Sequence, residues 1–471
     1  MIKKLICFLL VLQVCHVCKA VTKVACIGAS ITYGATVKNR EHNSYPAQLQ
    51  TMLGNKYQVN NYGVSSCTML KHGDHSYWNT KEYQAALASN PNIVFIDLGG
   101  NDAKLVNRVY LNEYTADCKA MAAAFAALPT HPRVILLLPV VSFDKDTTGI
   151  WDPVIVNQVM PKMRQAAYDD KLEVIDIHSL LVNHPELMPD KIHPDSTGSR
   201  IIARRLHDQL VIKRDPGFNI FNAIDQQKSE SQFYGYACAD FTLNGHQCKV
   251  VKPKWSAPQH PWVWRARFWG HEPQTDIALL ERGFHIVYCD VAELFGNAEA
   301  IAQWNQFYDE LHKGGLGPKA VMEGMSRGAV YALNWAAVNP TKVACVYIDN
   351  PLLDMKSWPA GLGKVVPPAN EELKQFKADY HLETDEQVRN FKGSPIDKVA
   401  DIVKGHYPIL ILCADADEAA IPDENTLPFE KQMKALGGSI TVLHKPGFKH
   451  HPHSLPNPTP IVEFILNSTQ L

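Results

Sequence analysis

The stretch Lys319-Ala-Val-Met-Glu-Gly-Met-Ser-Arg-Gly-Ala-Val330 constrains the fold more than any other. A short apolar run meets the turn Gly324-Met-Ser-Arg-Gly328, and an apolar-periodic run from Ala329 to Val338 follows, closed by Pro340. That order reads as strand, sharp turn, helix. Glycines at 324 and 328 permit a backbone approach that a Cβ would obstruct. Such a turn lifts Ser326 to the carboxyl edge of a parallel sheet, in front of a helix N-terminus. A serine hydroxyl is a poor nucleophile until a base removes its proton. The turn therefore predicts an acid and a histidine further along the chain.

At 471 residues the chain is too long for one ordinary core, and two domains are expected. Hydrophobic residues make up 46% and charged residues 20%, a soluble globular balance. A formal net charge of −2 argues against nucleic acid as the main partner. Lys3 and Lys4 precede the apolar run Leu5 to Val17, with Cys18-Lys19-Ala20 after it. This reads as a cleaved signal over residues 1–20, which directs the protein to a bacterial periplasm or outside the cell, with no stable membrane insertion after cleavage. Cys7, Cys15 and Cys18 leave with it, so eight cysteines remain. Cys238 and Cys248 flank a hairpin turned at Asn244-Gly245, whose register places Cys248 opposite Phe241 and not opposite Cys238. Beyond residue 20, no C-x-x-C or H-E-x-x-H spacing points to a metal, and no cofactor is expected.

Residues 21–213 form the first expected domain. Strand-like runs at Thr22–Ile27, Gln58–Tyr62, Asn92–Leu98, Arg133–Leu138 and Leu172–Ile177 alternate with helical patterns at Tyr45–Leu53, Leu111–Leu128, Ile155–Tyr168 and Gly198–Leu210. Alternation of this kind gives a flavodoxin-like, three-layer α/β sandwich whose ligands bind off the carboxyl ends of the strands. Polar residues cluster there: Gly28-Ala-Ser-Ile-Thr-Tyr-Gly34, Asn61-Tyr-Gly-Val-Ser65, Gly99-Gly-Asn-Asp102 and Asp190-Lys-Ile-His-Pro-Asp195. In chemical terms Ser30 is a nucleophile, His193 its base, and Asp190 the group that holds the imidazole tautomer. The N–H groups of Ser30 and Gly63 and the Asn101 amide suit a tetrahedral oxyanion. The four motifs, in this order, resemble the SGNH (GDSL-type) hydrolase family over nearly all of residues 22–212. The resemblance implies the same five roles. Ala29 departs from it, because the family usually has Asp before the serine; that residue is outside the catalytic set.

The charged turn Lys213-Arg-Asp-Pro-Gly217 marks the boundary, and residues 216–471 form the second domain. A β-rich stretch, Phe233–Lys252, precedes strands at Phe284–Val291, Lys319–Glu323, Val343–Ile348, Ile409–Leu412 and Ile440–Leu443, with helices such as Ala298–Lys313 and Arg327–Asn339 between. This layout fits an α/β-hydrolase domain. Asp417, with Asp415 as runner-up, ends one strand; His450, with His451 and His453 as alternates, follows the next. The order Ser326, Asp417, His450 is the one such a fold requires. Its oxyanion hole would use the N–H of Arg327 and one from Trp262-Val-Trp-Arg-Ala-Arg-Phe-Trp-Gly270, read here as a loop. Arg265, Arg267 and Arg327 could bind carboxylate, and Trp264 and Trp269 could stack on sugar faces. The competing reading packs the aromatics as an edge and pairs the arginines with acids such as Glu272 or Asp290. An insertion between Asp349 and Tyr407, containing Trp358-Pro and Pro367-Pro, stands where this fold often carries a lid.

The pairing of domains resembles two-domain bacterial carbohydrate esterases. That resemblance implies an oligosaccharide or polysaccharide ester as substrate, deacetylation by the first domain, and hydrolysis of a second carbohydrate ester, a uronate methyl ester among the options, by the second. Other readings are that both domains are deacetylases, that the chain is a lipase or lysophospholipase, or that one domain only binds glycan.

Overall fold

The computed structural model describes residues 21–364 and 370–470. The expected signal segment, residues 1–20, and Pro367-Pro of the insertion lie outside the described residues. Two sheets organise the chain. The first is built from β1 (Thr22–Gly28), β2 (Tyr57–Gly63), β3 (Ile93–Asp97), β4 (Arg133–Leu138) and β5 (Glu173–Asp176). All its pairings are parallel and its order is β2-β1-β3-β4-β5. The order reverses at β1, which leaves a crevice between the carboxyl ends of β1 and β3. Strand β1 shows why both faces are covered. Ala25 and Ile27 pack with Tyr114, Met121 and Phe125 on one side, while Val24 and Cys26 pack with Tyr45, Leu49 and Leu206 on the other.

The helical run expected over Ile155–Tyr168 is divided. A π-helical turn spans Ile155–Val159 and an α-helix spans Met160–Asp169. Pro161 has no N–H to donate to the preceding turn, and a widened turn accommodates the gap.

The second sheet has nine strands. These are β6 (Lys228–Phe233), β7 (Tyr236–Leu243), β8 (His246–Val251), β9 (Trp262–Arg265), β10 (His285–Cys289), β11 (Ala320–Met325), β12 (Val343–Asp349), β13 (Ile409–Ala414) and β14 (Ile440–Lys445). Their order is β14-β13-β12-β11-β9-β10-β8-β7-β6. Strands β6, β7, β8 and β10 pair antiparallel, and the rest pair parallel. The exchange of β9 and β10 in space, with the Gly324–Gly328 turn after β11, is the α/β-hydrolase arrangement. Asn244 and Gly245 turn the β7–β8 hairpin with φ of 52° and 86°, as a type I′ turn requires. Cys248 stands opposite Phe241, the register that turn predicts.

Strand β9 corrects the sequence reading. Trp262–Arg265 is an interior strand between β10 and β11, not a loop. Alternation sends Trp262 and Trp264 into one core, against Trp304, Phe307 and Trp335, and Val263 into the other.

The two sheets share buried structure. One apolar cluster runs from Val94, Met163 and Ala167 to Phe233, Tyr236 and Val263. Beside it, Glu173 accepts from Arg133 (2.5 and 2.7 Å), Arg214 (2.8 Å) and the Trp255 indole (2.9 Å). Arg205 bonds Glu281 at 2.8 Å, and Glu281 also accepts from the Asp176 N–H.

Candidate active sites

The first site forms at the carboxyl edge of β1, β2 and β3. Ser30 opens a single helical turn directly after β1, so its N–H is among the orphan donors of a helix start. His193 Nε2 lies 2.8 Å from Ser30 Oγ, and its Nδ1 lies 2.6 Å from Asp190 Oδ2. The other Asp190 oxygen accepts the N–H groups of Ile192 (3.0 Å) and His193 (2.7 Å), which locks a three-residue turn. Partial burial of Asp190 would raise its pKa. The hydrogen bonds from His193 and Ile192 outweigh that and hold the carboxyl below its ordinary value.

Asn101 begins the turn after β3 and is buried. One amide hydrogen bonds Cys67 O at 3.1 Å, which leaves the second for a ligand. Ser30 and Asn101 line a cavity of about 30 Å³ together with Asp97, Gly100 and Pro139. Gly63 differs from expectation. Its N–H donates to Asn61 Oδ1 at 2.9 Å, so that donor is already engaged. A Cβ at Gly63 would fall 2.2 Å from Tyr33 N, and close packing against the Ser30 turn accounts for the glycine.

The second site forms at β11, β13 and β14. Ser326 adopts φ +49°, a strained conformation for a residue with a Cβ, between β11 and the helix Gly328–Val338. The turn closes only because Gly324 has no side chain: a Cβ there would meet Gly328 O at 2.7 Å. His450 Nε2 is 3.0 Å from Ser326 Oγ, and its Nδ1 is 2.8 Å from Asp417 Oδ2. Burial would raise the Asp417 pKa, but His450 and the N–H groups of Ala419 and Ala420 bring it below the ordinary value. The alternates sit elsewhere: Asp415 bonds His444 (2.6 Å) and His453 faces Asp349 (3.4 Å). Among the described residues, the backbone N–H groups of Arg327 and Arg267 have no acceptor, and Arg267 N lies 3.7 Å from the Cβ position of Gly328.

The aromatic and arginine cluster divides. Arg265 is 1% exposed and bonds Asp276 (2.6 Å) and Glu323 (3.1 Å), neither of them the acids considered from sequence. Trp264 is fully buried. Both are corrected to core residues, because an interior strand covered on each face offers nothing to a ligand. Trp269 packs on Phe233 and Tyr288, with centroids at 5.0 and 5.6 Å, so its ring is taken by protein. Arg267 donates to Ala292 O and lies 3.5 Å from Glu293. Arg327 is different. Its guanidinium carbon sits 5.3 Å from the Phe295 ring centre and 5.2 Å from that of Trp358, with no carboxylate pair among the described residues. Burial, then the nearby charge of Arg267, lowers its pKa.

Sequence reasoning missed Asn350. Buried, with φ +44°, it accepts from Ala414 N and donates to His450 O at 2.7 Å, tying the histidine loop to β13. It also missed Asp97 beneath Ser30 and Trp358, which the insertion lays against Arg327.

Residues 26–201 match the GDSL-like lipase/acylhydrolase family. The matched segment takes in Ser30, Asn101, Asp190 and His193. An acetylxylan esterase of Xylanibacter ruminicola is 37% identical over 199 residues, covering 38% of this chain and 41% of that protein. The chain thus spans about two fifths of the curated relative it matches. Among solved structures, a carbohydrate acetylesterase family member from Sinorhizobium meliloti aligns with TM-score 0.33 at 16% identity, over 40% of this chain and 97% of that one. An S-formylglutathione hydrolase from Agrobacterium tumefaciens aligns with TM-score 0.34 at 14% identity, over 51% and 96%. No helix among the described residues is long and apolar enough to cross a membrane.

Proposed function

We propose that this protein is an exported, bifunctional carbohydrate esterase with two independent serine centres. The observation that carries the reading is the pair of hydrogen-bonded chains Ser30–His193–Asp190 and Ser326–His450–Asp417. In each, the imidazole takes the serine proton as Oγ attacks the ester carbonyl, then returns it to the leaving alcohol. Water repeats the sequence on the acyl-enzyme. At the first centre the Ser30 N–H and the free Asn101 amide hydrogen hold the oxyanion. At the second the N–H groups of Arg327 and Arg267 do so.

The first centre is a glycan deacetylase. A small cavity beside Ser30 has room for a methyl-sized acyl tail. The acetylxylan esterase named above supports the same substrate class. The second centre acts on a different carbohydrate ester, a uronate methyl ester. Arg327, one residue after the nucleophile and without a carboxylate of its own, suits a substrate whose neighbouring groups are anionic. The test uses the full chain on acetylated xylan and on methyl-esterified polygalacturonate. Ser30→Ala abolishes acetate release and keeps methanol release; Ser326→Ala does the reverse. Acetate released by Ser326 in the Ser30→Ala protein makes both centres deacetylases. Loss of both products in one single variant ends the two-centre reading.

A further inference from the structure

The triad histidine His450 and two neighbours that the triad does not use are placed with unusual regularity. His450, His451 and His453 each offer a ligand nitrogen, and these atoms lie within 4.8 Å of one another. The three ring centres are 5.0, 5.0 and 4.8 Å apart, and the ring planes stand at 80°, 80° and 83°. A zinc–nitrogen bond of about 2.0 Å places a ring centre roughly 3.2 Å from the metal, so three rings at tetrahedral angles are separated by about 5.2 Å. The observed propeller is close to that spacing. His271 stands 5.9 Å from both His451 and His453, with Glu272 3.9 Å from its Nε2.

The hydrogen bonding leaves ligand capacity free. His451 is exposed and has no hydrogen bond among the described residues. His453 is buried, and only its Nδ1 has a partner, Asp349. Asp349 is itself already held by Lys445 and the Ser454 N–H. At His450, Asp417 holds Nδ1, the carboxylate–histidine arrangement that orients a metal-ligating imidazole. The nitrogen left is Nε2, which accepts from Ser326.

We infer that His450, His451 and His453 form a binding site for an imidazole-seeking divalent cation of the zinc class, and that occupation switches off the second centre. A metal on His450 Nε2 removes the acceptor of the Ser326 proton, so metal binding and nucleophile activation exclude each other. The first centre has no part in this and stays active. The inhibitory consequence rests on the reading of Ser326 and His450 as a reaction centre; the binding site does not.

The experiment uses the chelator-stripped full chain carrying Ser30→Ala, so that Ser326 alone answers a fluorophosphonate probe. Binding is read apart from activity, by calorimetry with zinc and by the visible absorption of bound cobalt(II). One cation per chain is expected, with a four-coordinate cobalt spectrum. His451→Gln and His453→Gln each weaken it by at least about tenfold. Zinc at ten times its Kd lowers the Ser326 labelling rate roughly tenfold, by mass action. A chelator restores that rate, magnesium leaves it alone, and the ratio of rates with and without zinc rises from about one tenth to about one half or more in His451→Gln. His451 is exposed, so that variant stays folded whatever happens at buried His453. Absence of saturable binding, binding that survives both substitutions, or labelling unaffected by bound zinc overturns the inference. Should Ser326 fail to label without metal, the functional reading falls, and the zinc and cobalt titrations alone decide the site.

Discussion

Asp97→Asn separates the electrostatic cost of the first site from its chemistry. Asp97 ends β3 beneath Ser30 and is 5% exposed. Its Oδ2 accepts the Thr32 hydroxyl at 2.8 Å, and Thr32 Oγ1 lies 2.9 Å from the Tyr45 hydroxyl. Burial pushes the carboxyl up to about 6, with the Thr32 hydrogen bond offsetting part of the rise. The folded state therefore holds this proton more tightly than the unfolded chain, where the pKa is about 3.9. Below pH 4 both states are protonated and Asp97 contributes nothing. Between pH 4 and 6 the unfolded chain has lost the proton that the folded protein keeps, so stability falls as pH rises. Above pH 6 the penalty is complete, at about 3 kcal/mol. Asn keeps an acceptor for Thr32 and cannot ionise. Urea unfolding of wild type and Asp97→Asn at pH 4.5 and pH 8 gives the test. The variant should gain about 2 kcal/mol on wild type between those two conditions, whatever the constant offset from its new amide N–H groups. A difference between the proteins that changes by less than about 0.5 kcal/mol from pH 4.5 to pH 8 refutes the reasoning.

Asn101→Ala should lower acetate release by the Ser326→Ala protein about 10²-fold while leaving the thermal unfolding midpoint in place; a loss that tracks unfolding would make Asn101 structural. Arg265→Ala leaves the buried carboxylates of Asp276 and Glu323 without their cation and should cost roughly 3–5 kcal/mol in urea unfolding, and a cost under about 1 kcal/mol would contradict the buried ion cluster. Gly324→Ala drives a Cβ into Gly328 and should abolish fluorophosphonate labelling of Ser326 with Ser30 still labelled, so equal labelling of both serines in that variant would count against the tight elbow.

The strands, their alternation with helices and the residues meeting at each serine were legible because each rests on local pattern. The elbow shows this: two glycines, a serine and the flanking apolar runs lie within a dozen residues. The failures, Gly63 apart, depended on distant parts of the chain. Trp262–Arg265 alternates like any strand, but Arg265 looked like a ligand-binding charge. It can be buried only because Asp276 and Glu323, on other elements, close around it. Gly63 fits the position of an oxyanion donor, yet the side chain two residues before it takes its N–H. Asn350 carries no motif. Its role appears only when the His450 loop, a hundred residues later, returns to bond it.

The two sites solve one problem with different backbone. A nucleophile must stand clear of its sheet with a free N–H beside it for the oxyanion. Ser30 achieves this at a topological switch point: β1 ends where its neighbours diverge, and the chain enters a helical turn in ordinary geometry. Ser326 lies between two paired neighbours, where no crevice is supplied, and needs the left-handed backbone that φ +49° records. Strain of this kind costs on the order of 1–3 kcal/mol and persists only where the surroundings overdetermine it. Here they do: Ser326 N donates to Asp349 O at 2.9 Å, Leu352 N donates to Ser326 O at 3.1 Å, and Gly324 lets the following helix close over the turn. Asp349 is in turn fixed by Lys445 and Ser454. The buried charges behind the second serine thus follow from how that serine is presented. The first site, which gets its crevice from strand order, has the buried Asp97 carboxyl bonded by Thr32 beneath it, without an ion pair among the described residues.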